Sequence, residues 1–159
     1  MVVVGTGGRG PVKSLVLGSV SATVAAHARC PVAVAREVKS DDEAPRAVIA
    51  AVDDSPTTDE VLALAYELAE CQGRPLEVVH CWQMGGHVSG KGTYSAWLRE
   101  LSDREQMLDD AMALQTEKHP DVRASRHLTE DDPVWTLVDR SGDAAVLVVG
   151  SRGRSWHGR

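Results

Sequence analysis

Gly5-Thr6-Gly7-Gly8, followed after nine residues by Gly18-Ser19, is the stretch of this chain best suited to hold a ligand. Glycines permit positive φ and let backbone N–H groups come close to a bound group. Gly18-Ser19 opens a helical pattern, and the free N–H groups and dipole of a helix start favour an anion. A strand, a glycine loop and a helix start together make a phosphate cradle. The same spacing also describes a tight turn followed by a Ser-capped helix. Asp53, in Asp53-Asp54-Ser55-Pro56, is the second candidate. Its carboxylate either accepts hydrogen bonds from hydroxyl or amino groups of a ligand or helps Ser55 cap the helix that follows.

Two other patterns carry less. Gly85-Gly86-His87-Val88-Ser89-Gly90-Lys91 fits Gly-x4-Gly-Lys, but a magnesium-holding Ser or Thr should come next, and Gly92 stands there with Thr93 one position late. A loop between a strand and a helix is the better reading. His27-x-x-Cys30 is half of a metal site with no second half. Trp97, Trp135 and Trp156 have no base-stacking spacing and read as half-buried packing or interface residues. No paired carboxylates and no Ser-His-Asp set stand out, so the chemistry read here is binding rather than catalysis.

These residues need elements to position them. Residues 47–52 form a short continuous apolar run, the signature of a buried parallel strand. Ser55 and Pro56 suit the start of a helix, whose apolar face is Val61, Leu62, Ala65, Leu68 and Ala69 and which Gly73 and Pro75 end. Residues 76–82 are the next strand, and a Gly-rich loop covers 83–93. A long helix from about 95 to 118 buries Leu98, Leu101, Leu108, Ala111 and Met112, and Pro120 stops it. Residues 122–128 alternate in polarity, as an edge strand does. Asp132-Pro133 caps a helix with Val134, Leu137 and Val138 inward, and 144–149 is another apolar strand. This βαβαβαβ order predicts an α/β fold: a doubly wound, mainly parallel, five-stranded sheet with helices on both faces.

The first residues repeat the end of the chain. Val2-Val3-Val4-Gly5-Thr6-Gly7-Gly8-Arg9 matches Leu147-Val148-Val149-Gly150-Ser151-Arg152-Gly153-Arg154, 145 residues on, about one domain length. Residues 2–4 read as a strand stub, 19–28 as a short helix and 31–35 as a strand. Residues 1–36 are therefore expected to be the C-terminal part of a first domain, 37–46 a linker, and 47–159 a second domain that stops in its phosphate loop.

Gly-x-x-Gly, nine residues, Gly-Ser resembles the ATP-binding signature of the universal stress protein family, and Val20-Ser21 after it and Cys30-Pro31-Val32-Ala33-Val34 closing the segment resemble that family's C-terminal end. Val-Asp-Asp-Ser-Pro at 52–56 resembles that family's opening turn, and Val78-Val79-His80-Cys81-Trp82 its second strand. The resemblance implies that Asp53 takes the ribose or adenine side of a nucleotide and that Cys81 lines the adenine pocket through its backbone. It implies that Gly150, Arg152 and Gly153 begin one phosphate loop, while Gly5, Gly8, Gly18, Ser19 and Ser21 carry the full signature in the other copy. The expected ligand is ATP, with or without Mg2+, in a stress-response regulatory module. The chain departs from the family pattern in that neither copy holds a whole site. The N-terminal piece is expected to complete the sheet within the chain or in a swapped homodimer. Two alternatives stay open: a nucleotide-independent module that dimerises through an edge strand, and a slow nucleotide hydrolase or adenylylating enzyme.

Composition bounds the partners. The chain has 159 residues, 43% hydrophobic and 25% charged, with 4% aromatics and no Phe, so its core must be aliphatic. A net charge of −6 repels phosphate backbones, which speaks against nucleic acid as a general partner. No apolar run approaches the roughly 20 residues that span a bilayer, which speaks against a membrane. Three scattered cysteines, Cys30, Cys71 and Cys81, fit reduced thiols in the cytoplasm.

Overall fold

The computed structural model describes residues 1–5, 18–35, 46–82 and 94–151. The chain divides into two compact units, Met1–Glu43 and Ala44–Arg159. In the first unit β1 (Val2–Gly5) lies parallel to β2 (Val32–Ala35), with α1 (Ser19–His27) between them in sequence. Ser21 is buried, and its hydroxyl donates to the Gly5 carbonyl at 2.8 Å, tying α1 to the end of β1.

The second unit holds β3 (Val48–Val52), α2 (Thr58–Gln72), β4 (Leu76–Cys81), α3 (Tyr94–Lys118), β5 (Ala124–Thr129), α4 (Pro133–Ser141) and β6 (Val146–Val149). The strands form one parallel sheet in the order β5-β4-β3-β6. The chain runs outward from β3 through β4 to β5, then returns to place β6 on the other side of β3. The topological switch therefore falls between β3 and β6, where open α/β sheets take their ligands.

Period-two alternation sends the strand residues to two cores. Val48, Ala50, Val52, Leu76, Val78 and Val148 pack with Leu62, Ala65, Tyr66 and Leu108 of α2 and α3. Ile49, Val79, Cys81 and Leu147 pack with Leu137 of α4. Tyr66, fully buried, satisfies its hydroxyl on Thr116 Oγ1 at 2.9 Å, which links α2 to α3. Gly73 ends α2 in the left-handed region at φ 60°, where a side chain would be strained.

The α/β architecture with a parallel sheet and helices on both faces is as the sequence implies, and β5 is an edge strand. The strand count differs. Among the described residues the sheet of the second unit has four strands where five were expected, and β1, whose sequence repeats that of β6, pairs in parallel with β2 in its own unit.

Three local expectations also need correction. Ser55 does not cap α2: the helix begins at Thr58, and Ser55 sits in the turn before it. Leu98 is 42% exposed, since the buried residues of α3 are Leu108, Met112 and Gln115, in its C-terminal half. Asp132 caps α4 as expected, its Oδ1 accepting from the N–H groups of Val134 at 2.9 Å and Trp135 at 3.2 Å. Val134 and Val138, however, are 63% and 49% exposed. Arg140 reaches the sheet instead, donating to Glu77 Oε1 on β4 at 2.6 Å and meeting His127 Nε2 on β5 at 2.9 Å. A polar contact thus takes part of the face where apolar packing was expected. Trp135 is 73% exposed on the same helix.

Candidate functional site

A cavity of about 410 Å³ opens at the carboxyl ends of β3, β4 and β6. That volume lies in the range of small-molecule sites. Asp53 and Asp54 leave the end of β3, His80, Cys81 and Trp82 the end of β4, and Val149 and Gly150 the end of β6. Pro133 and Leu137 of α4 close one side and Arg104 of α3 the other.

The turn after β3 is built by Asp53. Its Oδ1 accepts the Ser55 N–H at 3.1 Å, an Asx-type turn, and its carbonyl accepts from the Thr58 hydroxyl. Ser55 and Thr57 share a hydrogen bond between hydroxyls at 2.9 Å. Thr57 in turn faces Gly150: a Cβ on Gly150 would lie 2.8 Å from Thr57 Oγ1. Gly150 is therefore needed for close approach between β6 and the β3–α2 turn. Gly150→Ala is expected to cost about 1–3 kcal/mol, read as a shift in the urea midpoint, and Thr57→Ala in the same chain should recover most of it. A Gly150→Ala variant as stable as the parent would show that the turn yields freely.

Asp54 faces α3. Its Oδ2 accepts from Arg104 at 2.8 Å, and Arg104 also donates to Glu100 at 2.9 Å. Burial works against the Arg104 charge, but the bonds to Glu100 and Asp54 more than offset it and its pKa is raised. Beneath this pair His80 is buried, its side chain 3% exposed. Its Nδ1 lies 3.1 Å from the Val52 carbonyl, and its Nε2 lies 4.0 Å from Asp54 Oδ1.

Cys81 is half-buried on the α4 side. Burial pushes its thiol up, against the hydrogen bond with Thr136 that pulls it down, and the carboxylates of Asp131 and Asp132 add to the rise. Cys30 and Cys71 are exposed. In a chain whose other two cysteines are Ser, labelling of Cys81 by a maleimide should therefore be slow at neutral pH and still be climbing at pH 9. A plateau near neutrality would contradict the burial of the thiol.

Of the residues singled out from sequence, Asp53, Cys81 and Gly150 meet at this cavity. Gly5, Gly18, Ser19 and Ser21 belong to the first unit, where Gly18 is the N-cap of α1 without a side-chain cap bond and Ser19 opens the helix. Gly5 ends β1, and a Cβ there would meet nothing within 4 Å. The hydroxyl of Ser21 is engaged by Gly5. Gly8, Arg152 and Gly153 lie outside the described residues, as do the Gly85–Lys91 loop and Trp156. His27 is bonded to the Thr23 carbonyl at 2.9 Å, and among the described residues no group of His, Cys, Asp and Glu is placed to hold a metal.

Sequence reasoning missed Asp54, His80 and Arg104. Asp54 was visible as the second of two acids, and His80 as a polar residue in an apolar strand. Arg104 stands 50 residues from Asp54 on a charged helix face, and nothing local marks it.

The chain matches the Universal stress protein family over residues 1–36 and 45–159. It is 38% identical over 162 residues to a universal stress protein of Mycobacterium bovis, covering 97% of this chain and 52% of the relative. It is 34% identical over 158 residues to one from Mycobacterium tuberculosis, again covering 97% of this chain and 52% of the relative. The chain thus spans about half the length of these curated relatives. Among solved structures, a universal stress protein from Archaeoglobus fulgidus matches with a TM-score of 0.50 at 28% identity, covering 72% of this chain and 81% of that one.

Proposed function

Because the chain belongs to the universal stress protein family, we propose that it is a regulatory module that binds an adenine nucleotide in the cavity at the ends of β3, β4 and β6. The observation that carries this reading is the meeting of Asp53, Cys81 and Gly150, from three strands, at a topological switch point. The cavity suits a base and sugar: apolar Val79, Leu137 and Val149 offer its walls, and Asp53 and Asp54 offer acceptors for hydroxyl or amino groups. In this reading Asp53 takes the ribose or base, the Cys81 backbone lines the adenine, and Gly150 leads into a phosphate loop with Arg152 and Gly153. Gly5, Gly8, Gly18, Ser19 and Ser21 carry the phosphate signature of the first copy.

The role proposed is cytoplasmic and tied to stress response, with ATP, with or without Mg2+, held rather than turned over. The 145-residue repeat and the two separately matched segments support reading the chain as the end of one domain followed by most of another. Among the described residues no helix is long and apolar enough to cross a membrane.

Extraction of nucleotide from freshly purified protein tests the reading, followed by titration of the emptied protein with ATP. Adenine nucleotide should be recovered or taken up at close to one per site, and ADP should not accumulate over many equivalents. A protein that neither carries nor binds adenine nucleotide would favour the nucleotide-independent interaction module. Sustained turnover would make it an enzyme.

A further inference from the structure

We infer that His80 and Asp54 form a second recognition point in this cavity, one that takes a hydrogen-bond donor of the ligand and rejects an acceptor. The inference rests on the nucleotide reading above and adds to it residues on the α3 side of the sheet, away from Cys81. His80 lines the cavity with its side chain 97% out of solvent contact, being 3% exposed. The Val52 carbonyl can only accept, so the Nδ1 that meets it at 3.1 Å carries the proton. In the neutral ring Nε2 is then a lone pair. That atom is buried and has no hydrogen-bond partner among the described residues.

A buried polar atom without a partner costs stability, on the order of 1–3 kcal/mol. Such a cost is found where a ligand completes the bonding. Asp54 Oδ1 lies 4.0 Å from it, too far for a hydrogen bond and of the same polarity as the Nε2 lone pair. Arg104, itself held by Glu100, keeps the carboxylate there through Oδ2. A carboxylate oxygen takes more than one hydrogen bond, so Oδ1 can accept from the ligand alongside its other contacts. Two acceptors this far apart suit one group with hydrogens to give to both. An amino group does this best and a hydroxyl can serve one of the two. A carbonyl oxygen would meet two lone pairs and be repelled.

On a purine nucleotide the donor has two sources: the amino group of the base or a ribose hydroxyl. Binding of AMP is compared with that of IMP, which has an oxo group in place of the amino group, and with 2′-deoxy- and 3′-deoxy-AMP. His80→Asn is made in parallel, because its side-chain amide can still donate toward the Val52 carbonyl while nothing remains at the Nε2 position. The parent should bind AMP at least about tenfold more tightly than one of the three analogues. His80→Asn should lose about tenfold for AMP and almost nothing for that same analogue. IMP in that place identifies the base, and a deoxy analogue the sugar.

Equal weakening of all four ligands by His80→Asn would make His80 a structural residue and overturn the inference while leaving nucleotide binding intact. No loss for AMP would overturn it too. A parent that binds none of the four overturns this inference, and one that also fails to take up ATP overturns the nucleotide reading with it. A measurement on the parent alone covers the case in which His80→Asn does not fold. In protein labelled with 15N-histidine, AMP should move the Nε2 resonance upfield, as acceptance of a hydrogen bond does, and an unmoved resonance overturns the inference.

Discussion

With Asp53 replaced by Asn, ATP should lose half or more of its power to raise the melting temperature, while the ligand-free protein melts close to the parent. Asn keeps an Oδ1 that can accept the Ser55 N–H, so the Asx turn that Asp53 makes at 3.1 Å survives. What goes is the charge offered to ligand hydroxyl or amino groups. ATP at a hundredfold its dissociation constant stabilises the parent by about 2.7 kcal/mol, which is roughly 5–10 °C for a domain of this size. A hydrogen bond to a charged group is worth about 1.5–3 kcal/mol, so affinity should fall about 10- to 100-fold and the shift shrink to about half of the parent's at the small end of that range and to about 1–2 °C at the large end. Differential scanning fluorimetry at fixed ATP reads this directly. A full ATP response in the variant would leave Asp53 a turn residue and nothing more. Asp53→Ala is the less clean test, since it removes the turn and the charge together.

Leu108→Ala should be strongly destabilising, because α3 depends on few buried residues. Leu108 is 1% exposed in the main core and, with Met112 and Gln115, seats the helix. Truncating a buried Leu costs about 2–5 kcal/mol, more where the hole cannot collapse. Arg104 sits one helical turn before Leu108, so the loosened helix should also release the Arg104–Asp54 contact. Urea denaturation should show a midpoint lowered in proportion with the slope unchanged. Leu114→Ala on the exposed side of the same helix should stay within about 0.5 kcal/mol. A Leu108→Ala loss no larger than that of Leu114→Ala would mean that α3 is seated by other contacts.

Much of the fold is legible in the order of residues because its signals are local. The run Val48–Val52 is apolar on both faces, and the structure makes it an interior strand with neighbours on each side. Gly73 marks the end of α2 because the left-handed conformation there favours glycine. Asp132 before Pro133 announces α4, and the cap forms. Such features depend on a few consecutive residues and survive without knowledge of the partner. The helix faces were less legible. Periodicity says which residues share a side, not which side the sheet occupies or how much of it, so Val134 and Val138 were placed inward while Arg140 took the contact with Glu77 and His127.

By itself the sequence determined the element order, the parallel α/β class, the internal repeat and the candidacy of Asp53, Cys81 and Gly150, all of which rest on local pattern or on motif. Tertiary structure alone decided that β6 pairs with β3 rather than continuing beyond β5. It thereby set the switch point and brought residues 53, 81 and 150 to one cavity. It alone joined Arg104 to Asp54 and left the buried Nε2 of His80 facing them. The reason is that such contacts are set by strand order and helix seating across tens of residues. Side-chain type and spacing carry no record of them until the core has closed.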